Sequence, residues 1–132
     1  MKKKQNIVDA VFKIAQNNPS GFTIDSELNP ITNGYAVATK HTQNSFGLSG
    51  CAHAVAIAFY QQLERFDAVG GWLNAQNGQY YFDAVKVFKT EAEANQYAVE
   101  NNQIAYYDLS NGREIKTSYG AVAVNKWSAR LF

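Results

Sequence analysis

The sequence predicts an α+β domain, an antiparallel or mixed sheet of about six strands with a central buried helix, and three observations predict it. The stretch from Asn44 to Phe66, NSFGLSGCAHAVAIAFYQQLERF, is apolar nearly all round at its centre, the mark of a helix that is buried rather than laid on a surface. Three Asn-Gly pairs, at Asn33, Asn77 and Asn111, each separate two β-rich runs, as in hairpins whose tight turns need positive φ. The first two of these units are each followed by a helical pattern, which places the helices mainly on one face of a sheet built from three hairpins.

In chain order, Ile7, Val8, Val11, Phe12 and Ile14 fall at helical spacing over residues 6–16, and the run NNPSG stops that helix. Residues 22–25 and 35–40 read as strands; in the second, Tyr35, Val37 and Thr39 share one face, and Ala36 and Ala38 leave room for a close-packed helix on the other. The central helix begins between Phe46 and Gly50, with Ser45 or Ser49 as its cap, and ends near Phe66. Two strands, 69–74 and 79–88, join through Ala75-Gln76-Asn77-Gly78. Thr90-Glu91-Ala92-Glu93 is a capping box opening a helix to about Glu100. Strands over 103–109 and 113–119 follow, and the tail at 120–132 either extends a strand through Ala121–Val124 or docks Trp127, Leu131 and Phe132 on the body.

A chain of 132 residues is one domain, 1–132, able to bury roughly two-thirds of its unfolded surface without a disulfide or metal. One Cys and two His are too few for a closed zinc site, so no metal and no cofactor is expected. The Met-Lys-Lys-Lys start lacks a following apolar core, and no window has the ~18 apolar residues of a membrane span, so a bacterial cytoplasm is the expected setting, with no membrane partner. A net charge of +1 argues against both a duplex-binding protein and an acidic nucleic-acid mimic. Lysines 2–4 and 13 near one end, and Arg113, Lys116, Lys126 and Arg130 near the other, are read as solvated ends, or as a modest basic patch if the termini meet.

For chemistry, Cys51 near the start of a helix with His41 as its base is the sharpest enzyme candidate, a cysteine hydrolase or transferase. His53 lies two positions from Cys51, about 200° around the helix, and does not pair with it. Free cysteines mostly serve as small buried hydrophobes, which makes Cys51 packing rather than catalysis. Gly70-Gly71 leads into no helix with Lys-Ser or Lys-Thr and cradles no phosphate. Asp25, Asp83 and Asp108 are read as separate solvent-facing strand residues rather than metal ligands.

Recognition is better supplied. Trp72, Tyr80, Tyr81, Phe82, Tyr106 and Tyr107 lie in neighbouring strands, and alternation sends them to both faces; one face packs helices, and the other either exposes tyrosines or is closed by the first helix or the tail. An exposed Tyr and Trp surface suits protein hot spots or stacking on single-stranded bases. The loop Lys40, His41, Thr42, Gln43, Asn44 and Phe46 sets varied polar groups and an aromatic anchor ahead of a rigid helix.

The segments GFTID, LNPITNGYAVATKHTQNSFG, GGWLNAQNGQYYFDAVKVF and QIAYYDLSNGREI, spanning about Gly21 to Ile115, resemble small uncharacterised proteins carried by phages, plasmids and conjugative elements of gut bacteria. That family supplies no catalytic residues. The company it keeps implies an anti-defence role, anti-CRISPR-like, in which a non-enzymatic accessory protein binds a host protein or nucleoprotein complex and blocks it.

Overall fold

The computed structural model describes residues 4–61 and 63–117. Its elements run α1 (Lys4–Asn17), β1 (Phe22–Ile24), β2 (Tyr35–Ala38), a 3-10 turn (Lys40–Thr42), α2 (Gly47–Phe59), β3 (Ala68–Asn74), β4 (Gln79–Phe88), α3 (Glu91–Glu100), β5 (Ala105–Asp108) and β6 (Arg113–Lys116). The fold is α+β, with one antiparallel sheet in the order β1-β3-β4-β2-β5-β6. Among the described residues no helix is long and apolar enough to cross a membrane. The tail at 120–132, with Lys126 and Arg130, and Lys2 and Lys3 at the start lie outside the described residues.

Two of the three Asn-Gly pairs close hairpins, β3–β4 at Gly78 (φ 73) and β5–β6 at Gly112 (φ 65). The third does not. β1 pairs with β3, and β2 with β4 and β5, so two strands separate the pair expected to form the first hairpin. The cause lies in the connection: Asp25 Oδ1 accepts from the amides of Glu27 and Asn29, turning the chain back so that Ile31 N–H bonds Thr23 O on the edge of β1. From there the chain crosses the sheet to β2. Gly34 (φ 96) serves that crossing, since a Cβ there would meet Val87 at 2.8 Å.

All three α-helices pack on one face. The larger core joins α1 and α2 to Ile24, Val69, Phe82 and Ala84; a smaller one packs Ala94 and Ala98 of α3 on Val37 and Tyr106. The helices therefore cover the Tyr35 and Val37 face of β2, not the small Ala36 and Ala38 face as expected. Ala36 instead lies with Ala68 and Val85 under Ile31, Val87, Tyr107 and Leu109, so the small residues admit a crossing loop rather than a helix.

The central helix is shorter than expected and capped differently. It starts after Phe46, whose side chain makes no cap, while Ser45 is drawn into the sheet by the Phe82 N–H to Ser45 O bond at 2.9 Å. Gly50 sits directly against the Ser45 backbone, where any side chain would collide. At the other end the amides of Tyr60 and Gln61 both bond Ala56 O, closing the helix at Phe59 rather than Phe66. Thr90 caps α3 as expected, Glu93 N–H donating to Thr90 Oγ1 at 3.3 Å, and the Glu93 carboxylate accepts from the Thr90 hydroxyl at 3.0 Å rather than from its backbone N–H.

Candidate functional site

Beyond Ala38 the chain no longer pairs as a strand, yet it continues along the edge of β4. Thr39 N–H bonds Ala84 O, the Thr42 hydroxyl donates to Asp83 Oδ1 at 2.9 Å and accepts from Ala84 N–H at 3.1 Å, and Phe46 bridges to Tyr81. From the other side Asn101 Oδ1 accepts from the Thr39 hydroxyl and from Lys40 N–H, both at 3.1 Å. Thr39, Thr42, Ser45 and Asn101 are buried. The loop from Lys40 to Phe46 is thus a rigid rim, held by buried side-chain hydrogen bonds that each contribute on the order of 1 kcal/mol.

What the rim presents is mixed. Lys40, Gln43 and Asn44 are exposed, with Asn44 in the left-handed region at φ 59 and Gln43 Oε1 accepting from Gln103 at 3.4 Å. His41 turns toward Glu64, Nε2 to Oε2 3.4 Å, and its carbonyl lies 3.0 Å from His53 Nε2. Glu64 also receives Lys86 at 3.0 Å and the Tyr97 hydroxyl at 3.0 Å, while the Lys86 ammonium lies 4.9 Å from the Tyr97 ring centroid. Burial alone would raise the Glu64 pKa, but the bonds from Lys86 and Tyr97 outweigh it and the net shift is downward. Burial, reinforced by Glu64, pushes Tyr97 up. Glu64, Lys86 and Tyr97 were invisible as a group in the sequence, because their meeting depends on three separate elements.

Next to the rim three rings form a ladder. Tyr81 lies 5.6 Å from Phe46 and is stacked on Trp72 at 5.5 Å, 21° between planes. Asn77 Nδ2 donates to the Tyr81 hydroxyl. Phe46 is 46% exposed, and Leu48, two residues on in the first turn of α2, is 51% exposed. Trp72 Nε1–H is buried with no acceptor among the described residues.

The structure therefore brings Phe46, Trp72 and Tyr81 together with Lys40, Gln43 and Asn44, and removes others from the expected surface. Thr42 is fully buried as the rim's anchor, Tyr106 is packed under α3 at 2% exposure, and Tyr80 faces the helices edge-on to Phe12. Tyr107 reaches the second face, half-buried beside Leu109. Asp83 and Asp108, expected to face solvent, are buried at 1% and 2% exposure. Asp108 accepts from Asn111, which holds its carboxyl below the usual range against the opposing effect of burial, with Arg113 adding to the lowering. Among the described residues no cluster of three His, Cys, Asp or Glu is placed to hold a metal.

Cys51 sits between α1 and α2, fully buried, its thiol directed to Val8 O at 3.5 Å. Burial, and secondarily the Asp9 charge, push its pKa up to about 12. A thiol so held is protonated at neutral pH, and His41 is committed to Glu64 instead.

No family model matches the chain, and no curated protein or solved structure shows significant similarity to it.

Proposed function

We propose that the protein is a non-enzymatic protein-binding accessory protein of a phage or mobile element, acting in the bacterial host cytoplasm to inhibit a defence complex such as a CRISPR nuclease. The mobile-element setting rests on the family resemblance of residues 21–115. The recognition role rests on one observation, the Phe46–Tyr81–Trp72 ladder beside a rim fixed by buried hydrogen bonds, with Leu48 a second exposed apolar side chain at the start of α2. Large rigid aromatics beside amides are what hot spots use, since little conformational freedom remains to be lost on binding.

Affinity capture from host lysate tests this. The wild-type chain retains a defence component, whereas Phe46→Asp combined with Leu48→Asp does not; equal recovery with both, or none with either, contradicts it. The same ladder, on a rim that also carries the exposed Lys40, favours a second reading, stacking on single-stranded bases, which requires salt-sensitive oligonucleotide binding. Absence of such binding at low salt removes that reading.

A further inference from the structure

The three Asn-Gly pairs share one local chemistry, yet the fold restrains them unequally. In such a pair the glycine amide nitrogen is a nucleophile within reach of the asparagine Cγ, and glycine has no side chain to obstruct the attack. A hydrogen bond that occupies the glycine N–H, or one that turns the asparagine amide elsewhere, opposes it. At Asn77 both restraints are present: Gly78 N–H donates to Asn74 O at 2.8 Å, Oδ1 accepts from Gln79 N–H at 2.9 Å, and Nδ2 donates to the Tyr81 hydroxyl at 2.9 Å. Asn111 is held likewise, with Gly112 N–H on Asp108 O and Nδ2 on Asp108 Oδ2, each at 2.8 Å. The Asp108 carboxylate also opposes the negative charge of a deprotonated Gly112 nitrogen. Asn33 differs on each count. It is exposed where the chain crosses into β2, and among the described residues its side chain takes only a 3.4 Å bond, at Oδ1 from the Ser110 hydroxyl, while Gly34 N–H has no acceptor.

We propose that Asn33 is a site of spontaneous deamidation, converting to aspartate and isoaspartate ahead of Asn77 and Asn111 and thereby loosening the seam between β2 and β5. Solvent base removes the Gly34 amide proton, and the nitrogen bonds Asn33 Cγ. The Cγ–Nδ2 bond breaks, and Nδ2 takes protons from solvent and leaves as ammonia. One water then opens the cyclic imide at either carbonyl, giving aspartate or its β-linked isomer. The net change is ammonia out and water in, with no oxidant or cofactor. The Ser110 hydroxyl, bonded to Oδ1, draws electron density from Cγ and leaves Nδ2 free to depart.

The isomer routes the main chain through Cβ, adding a carbon immediately before Gly34. Packing there is tight, since a Cβ on Gly34 would already meet Val87 at 2.8 Å and Phe88 O at 2.9 Å. Gly34 O accepts from Leu109 N–H at 2.9 Å, next to Tyr35 opposite Asp108 and Ala36 opposite Tyr107. Among the described strands β5 and β6 join the sheet through β2 alone, so the added carbon strains their attachment. The modification uses neither the rim nor Phe46 and is independent of the partner-binding reading.

Peptide mapping by mass spectrometry of the full chain, kept folded in mildly alkaline buffer, tests this. Asn33 converts severalfold faster than Asn77 and Asn111, whereas in the same chain unfolded in guanidinium the three convert at comparable rates. Asn77 or Asn111 keeping pace with Asn33 in the folded chain overturns the proposal, as does an Asn33 that converts only on unfolding. The same order in the unfolded chain overturns it too, because sequence rather than fold would then set the rates. Amide hydrogen exchange checks the cause: fast exchange at Gly34 beside slow exchange at Gly78 and Gly112 is expected, and equal protection contradicts it. In the purified isoaspartate form the Leu109 amide exchanges severalfold faster than in the unmodified chain; unchanged protection there overturns the loosening of the seam.

Discussion

On the helix-covered face of the sheet, Val37, Phe82, Ala84 and Tyr106 are packed under α1, α2 and α3; on the other, Trp72 stacks on Tyr81, and Val85 packs with Ala36 and Ala68 beside Ile31, Tyr107 and Leu109. The two faces draw on the same residue types, and in the doublets Tyr80-Tyr81 and Tyr106-Tyr107 alternation sends one ring to each. Composition therefore does not distinguish scaffold from recognition surface. What distinguishes them, among the described residues, is what crosses above: three helices bury one face, whereas a loop and a polar rim cross the other.

Substitutions on the two faces should separate stability from binding. The largest stability loss is expected for Phe82→Ala, since the ring is fully buried and stacked on Phe12 at 5.8 Å; about 3–5 kcal/mol should disappear in chemical denaturation. Gly50→Ala forces a methyl into the Ser45 backbone and should cost about 1–3 kcal/mol, shifting the rim as well. Thr90→Ala removes a helix cap and should cost about 1 kcal/mol. Phe46→Ala should change stability by under about 0.5 kcal/mol and yet weaken partner capture, the reverse of Phe82→Ala. A comparable loss of stability from both would erase the distinction between the faces.

Two solution measurements sharpen the same contrast. Cys51, in the scaffold, should be alkylated at neutral pH only at the rate of unfolding, because it is buried and its pKa is pushed up to about 12. Fast labelling of the folded protein would reopen the cysteine-enzyme alternative. Glu64 and Asp108 both have folded pKa values below their ordinary ones. Their contribution to stability is therefore full above the ordinary carboxylate range and fades as pH falls through the lowered folded values. Melting temperature should drop below about pH 4, and Glu64→Gln should flatten that drop.

Local signals in the sequence were read well where local chemistry decides. The Thr90 cap and the turns at Gly78 and Gly112 occur where the residues placed them. Asn33-Gly34 misled because the Asp25 turn and the Ile31 bond to Thr23 divert the chain before a hairpin forms. The end of α2 was unreadable for a related reason. Leu63 and Phe66 keep apolar residues at helical spacing from Phe59, but Glu64 is claimed by His41, Lys86 and Tyr97, partners 23, 22 and 33 residues away in sequence. Of the site, Phe46, Trp72 and Tyr81 were legible from composition and alternation. The burial of Thr42 and Tyr106 was not, since it follows from strand register and from which face α3 covers.

The central claim is that the rim and the Phe46 ladder recognise a defence component while the helix face only supports them. A protection assay in a host with an active defence system tests it, with wild type compared against the Phe46→Asp and Leu48→Asp double variant at matched unfolding midpoints. The account predicts that wild type restores phage or plasmid survival and the double variant does not. Equal survival with both, or no effect of wild type, would contradict it.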